Sequence, residues 1–114
     1  MPAYVIVDVG VVAPEDEGAW KAYVAMAPAT IEQYGGRYLA RGGAIEVMES
    51  DWSPYGIVIV EFPDREAAAR WYASPEYSPG LKIREESGLN RKMICVEGAS
   101  DASPDKLLGP GFVR

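Results

Sequence analysis

The chain has no histidine and only one cysteine among its 114 residues. Without imidazole there is no histidine ligand for zinc or haem and no histidine base for a catalytic triad. One cysteine builds neither an internal disulfide nor a metal cluster. Long apolar runs are missing too: no segment approaches the roughly 18 residues of a membrane span. The N-terminus MPAYVIVDVGVV lacks the basic start and small-residue cleavage site of a secretory signal. Basic residues are the minority, 11 against 17 acidic, for a net charge of −6. With no basic block, a nucleic-acid partner is excluded, because affinity for phosphate backbones comes from clustered lysine and arginine. The glycines lack the strand, GxGxxG and helix context of a dinucleotide site, and there is no Walker lysine motif. These absences predict a cytoplasmic protein with no membrane or nucleic-acid partner, no metal and no cofactor.

What remains has the balance of a soluble globular chain, 48% hydrophobic and 25% charged. The length suits one domain, expected over residues 1–98, with a tail over 99–114. Residues Tyr4 to Val12 are rich in valine and isoleucine and predict a strand covered on both faces. Pro14 opens a helix whose first turn is acidic, and Trp20, Tyr23, Val24, Ala27, Ile31 and Tyr34 form its apolar stripe. Pro28 lies inside that stripe and predicts a kink. Gly35 and Gly36 predict the helix end, and Gly42 and Gly43 a bend or bulge.

The run IVIVEF, Ile57 to Phe62, is the clearest strand. Asp64 predicts a helix cap, with Ala68, Trp71 and Tyr72 on one helix face, and Ser74-Pro75-Glu76 predicts a restart of the helix. The stretch RKMICVE, Arg91 to Glu97, closes the set as a strand in which Cys95 reads as a buried thiol. The order β-α-β-β-α-β predicts an α+β, ferredoxin-like protomer with an antiparallel sheet and both helices on one face. The other face is too apolar for water, which predicts a homodimer joined sheet to sheet.

The segments PATIEQYGGRYLARGG, EVMESDW, VIVEFPDREAAARWYASPEY and CVEG, in this order and spacing, resemble the bacterial domain-of-unknown-function family 1330 of the dimeric α+β barrel superfamily. The resemblance runs from about Tyr4 to Gly98 and implies a dimer whose two sheets form a barrel. In the wider superfamily it implies small-molecule pockets around the sheet, in cofactor-free monooxygenases, lactone isomerases and haem-binding dismutases. A shared fold carries no activity with it. The chain departs from the family pattern at Pro79-Gly80, where a helix usually continues, and in extending past the last strand.

The side chains left for chemistry are arginines, carboxylates and aromatics. On a strand, Arg37 and Arg41 share a face and are placed to clamp a carboxylate, or else pair with Glu46 or Glu49 across a hairpin. Glu61 ends an apolar strand; as a buried carboxylate it is a candidate general base, and it is equally a partner for Arg37 or Arg41. Asp8 has a lesser claim of the same kind. Tyr38, Trp71, Tyr72 and Tyr77 are candidate pocket walls, and Trp52 and Tyr55 a pocket cap or a contact with a second subunit. The expected ligand is a small anionic organic molecule, and the expected chemistry cofactor-free proton transfer. The competing expectation is a structural or interaction dimer whose cavity is filled by its own side chains.

Overall fold

The computed structural model describes residues 1–99. The expected tail, with Leu107, Leu108, Phe112 and Val113, therefore falls outside the described residues except for Ala99. The elements are β1 (Ala3–Val9), a 3-10 turn (Pro14–Asp16), α1 (Glu17–Gln33), β2 (Arg37–Ala40), β3 (Gly56–Phe62), α2 (Arg65–Tyr72), α3 (Ser78–Glu85) and β4 (Arg91–Glu97). They form one antiparallel sheet in the order β2-β3-β1-β4. This is the ferredoxin-like β-α-β-β-α-β protomer, with α2 and α3 together in the place of the second helix.

The side-chain period of two explains the layers. In β1, Ala3, Val5, Val7 and Val9 are buried and their neighbours half-buried. Val5, Val7 and Val9 meet Tyr23, Ala27 and Ile31 of α1, together with Val60, Phe62, Trp71 and Tyr77, in a single core. Register pairing carries the other face across the sheet, placing Ile6 beside Ile59 and Ile94, and Tyr4 beside Glu61 and Val96. On this second face Ile94 and Val96 are exposed.

Alpha-helix α1 continues through Pro28 and ends in a Schellman motif: Gly36 N–H donates to the Ile31 carbonyl (2.9 Å) and Gly35 N–H to that of Glu32 (3.0 Å). Gly35 takes φ +85°, the left-handed conformation this ending needs. Gly36 is required for space, since a β-carbon there would lie 2.6 Å from Ile31 Cγ2 and 2.8 Å from Phe62 Cε1. The chain thus leaves α1 against the core and enters β2 at once.

Asp64 caps α2 by accepting from the Ala67 N–H (2.7 Å), a contact of about 1 kcal/mol. The expected helix restart at Ser74 is a turn instead. Ser74 Oγ accepts from the Tyr77 N–H and donates to the Trp71 carbonyl, tying off α2 before α3 begins at Ser78. Pro79 then sits in the first turn of α3, where its missing N–H costs nothing, so the helix runs on past Pro79-Gly80. Cys95 is exposed rather than buried, because its strand β4 is a sheet edge and α2 leaves a groove beside it.

Residues Arg41 to Ser53, between β2 and β3, are all exposed and contain no helix or strand. The exposed positions of this arm include Ile45, Val47, Met48 and Trp52.

Candidate functional site

Between α1 and the inner face of the sheet lies a cleft of about 600 Å³. Its floor is aliphatic, from Val5, Val7, Val60 and Ile31, and its walls are Trp20, Tyr23, Tyr38 and Trp71. Among the described residues, two cations line it, Arg41 and Arg91, and no carboxylate does. At its rim stand Gly42, Gly43, Tyr55 and Gly56, the two feet of the exposed arm.

The register of β2 decides which of the expected residues arrive here. Arg37 pairs with Glu61 and Tyr38 with Val60, but Ala40, not Leu39, pairs with Ile59: a bulge between Tyr38 and Ala40 breaks the alternation. Tyr38 and Val60 face the cleft, so Arg37 and Glu61 face away from it. There the Arg37 Nε donates to Glu61 Oε1 at 2.8 Å. Past the bulge, the Arg41 guanidinium lies 4.0 Å from the centre of the Tyr38 ring, on the cleft side. The expected arginine clamp of Arg37 with Arg41 is therefore not assembled, and Glu61 is not in reach of the cleft as a base. Glu46 and Glu49 take no part in the Arg37 pair.

The aromatic candidates divide in the same way. Trp71 is 2% exposed, lines the cleft, and donates its indole N–H to Thr30 Oγ1 at 3.0 Å. Tyr77 is fully buried behind the wall, its hydroxyl 2.6 Å from that of Tyr23. Burial, then the neighbouring Tyr23, push the Tyr77 hydroxyl far above the ordinary tyrosine value, so it stays protonated. Tyr72 is exposed and lies on the groove between α2 and β4, not on the cleft. Of the expected wall and clamp residues, the structure brings together Arg41, Tyr38 and Trp71.

Two cleft residues that matter for charge and shape carry no assigned role in the sequence reading: Tyr23 and Arg91. Arg91 is 9% exposed, and its guanidinium stacks 4.1 Å above Tyr23 and 5.6 Å from Trp20. Its Nε meets no acceptor among the described residues. The signal was its place in RKMICVE, where Arg91 and Met93 alternate with Lys92 and Ile94. Since both sets contain apolar residues, alternation alone left the inward face open. Tyr38 is governed by two opposed causes: burial raises its hydroxyl above the ordinary value, while Arg41 pulls it back down. No group of residues suited to hold a metal ion occurs among the described residues, and no helix there is long and apolar enough to cross a membrane.

The element order and sheet define an α+β protomer of the ferredoxin-like fold. The chain belongs to the family described as a domain of unknown function, DUF1330, whose model matches residues 2–99. No curated protein matches it in sequence. Among solved structures it is similar to a protein of unknown function from Rhodopseudomonas palustris, 18% identical, covering 87% of this chain and 83% of that one, with a TM-score of 0.64. It is also similar to a dimeric ferredoxin-like protein of unknown function from Jannaschia sp., 14% identical, covering 86% of this chain and 100% of that one, with a TM-score of 0.61. A looser likeness, to a cofactor-independent oxygenase from Streptomyces nogalater, has 16% identity, 90% and 95% coverage and a TM-score of 0.47. The first two likenesses, with TM-scores of 0.64 and 0.61, show the fold.

Proposed function

We propose that the protein is a cytoplasmic homodimer, joined through the open faces of its sheets, in which each cleft binds a small anionic organic molecule and supports proton transfer on it without a cofactor. The observation that carries this reading is the charge of the cleft. In a chain with 17 acidic and 11 basic residues, the described residues line an apolar, aromatic space with two arginines and no carboxylate. An apolar pocket with a few convergent polar groups is the usual form of a small-molecule site, and its volume falls in the usual range. The open space weighs against the alternative of a cavity filled by the protein's own side chains. Of the cleft's tyrosines, Tyr23, Tyr38 and Tyr55, the Tyr23 hydroxyl is taken up by Tyr77, whereas Tyr38 lies under the Arg41 guanidinium, and a phenol beside a guanidinium suits a proton passed to or from an enolate-like anion.

The dimer reading rests on the second face of the sheet. Ile94 and Val96 stand exposed there beside Ile6 and Tyr4, and apolar surface of this kind usually marks an interface. The Jannaschia structure, related by fold, is a dimer.

One experiment tests each half. Light scattering on the purified protein should give twice the chain mass, and Ile94→Glu should halve it. A panel of small organic acids, each with an uncharged counterpart, should raise the melting temperature through the acids. A monomeric wild-type protein would defeat the first half, and a panel without effect the second.

A further inference from the structure

We infer that Arg91 is the anchor of an acid site in the cleft, and that the acid it takes is a planar aromatic carboxylate. This rests on the reading of the cleft as a ligand site. Arg91 opens β4 opposite Val9, on the inward face of the sheet, and is 9% exposed. A guanidinium so removed from water is costly unless it is paired. None of the ion pairs among the described residues involves it, and its Nε has no acceptor there. Its surroundings add positive charge: Arg84, whose own Nε is also unpartnered, reaches the Arg91 carbonyl at 3.5 Å, and Arg41 lines the same cleft. The missing component is an anion.

Shape and chemistry narrow the class. A guanidinium is a planar fork that matches a carboxylate with two parallel hydrogen bonds. Beneath it, Trp20 and Tyr23 lie nearly parallel, with 12° between their planes and centroids 6.3 Å apart. Tyr38 and Trp71 complete the aromatic walls of a space of about 600 Å³. Such walls favour a flat ring system, and they offer an inorganic anion nothing beyond the arginines.

The test is calorimetric titration of the whole protein with 2-naphthoate, with the uncharged 2-naphthamide of similar shape, and with inorganic phosphate, repeated on Arg91→Gln and Arg91→Lys. Hydrogen bonds to a charged group set the expected size: naphthoate should bind the wild type at least about tenfold more tightly than the amide, and phosphate should bind far more weakly than either. Arg91→Gln should bind acid and amide alike, with the amide affinity unchanged, and Arg91→Lys should keep part of the preference. Should Arg91→Gln fail to fold, the Arg91 Nε–H resonance of the wild type serves instead, and should shift with naphthoate but not with naphthamide. Equal binding of acid and amide, a preference that survives Arg91→Gln, or an unmoved resonance overturns the inference while leaving the cleft a ligand site. Phosphate binding as tightly as naphthoate overturns the aromatic class. Neither aromatic probe binding overturns both this inference and the reading beneath it.

Discussion

Arg37 and Arg41 are the same residue type four positions apart, yet one faces an acid and the other a cleft. The Arg37 side chain is 71% exposed in its pair with Glu61. Exposed ion pairs gain little, so Arg37→Ala should lower stability by no more than about 1 kcal/mol in chemical denaturation. It should leave the binding of any cleft ligand unchanged, and a large loss of binding would return Arg37 to the site. The pair itself was legible in the sequence as one option for Glu61. What could not be read was the bulge between Tyr38 and Ala40, because an extra residue in a strand shifts every later side chain to the opposite face. Tyr38 and Trp71 were legible as wall residues because both are large aromatics on elements that face the core. Tyr77 is a large aromatic too, but it lies in the turn before α3, fully buried with its hydroxyl against that of Tyr23.

Between elements, the hydroxyls of Tyr23 and Tyr77 join α1 to the turn before α3 within the core. Removing one leaves the other without its partner, so Tyr23→Phe and Tyr77→Phe should each cost about 1–3 kcal/mol in urea denaturation. The double variant should cost little more than the worse single one, and simple addition of the two costs would show the bond to be unimportant. A second link joins the end of α1 to the same turn: the Tyr34 hydroxyl donates to Glu76 Oε1 at 2.6 Å. That bond, then the Glu76 backbone, hold the carboxyl below its ordinary value of 4.5. A depressed carboxyl stabilises the fold above its unfolded value and loses that contribution as pH falls through the folded one. Wild type should therefore melt above Glu76→Gln near neutral pH, and the gap should close in acid. A gap independent of pH would mean the charge contributes nothing. The elements were mostly legible because the valine-rich strands, the acidic helix start, Gly35-Gly36 and Asp64 each carry a local physical signal. Ser74-Pro75-Glu76 misled because its serine does cap, but it caps a turn.

For the whole molecule, the order of elements was enough to read the plait, since β-α-β-β-α-β with an apolar sheet has few other ways to bury itself. The cleft was less legible, because its emptiness depends on how far α1 stands from the sheet and no residue encodes that distance alone. The arm between β2 and β3 has a further consequence. Its feet, Gly43 and Tyr55, are also the lips of the cleft, so if a second subunit of the proposed dimer also held the arm, it would set the width of the mouth. By linkage, a guest that stiffens the mouth must tighten the grip in equal measure. Occupancy and assembly would then be two readings of one equilibrium, with apparent affinity rising as the protein is concentrated.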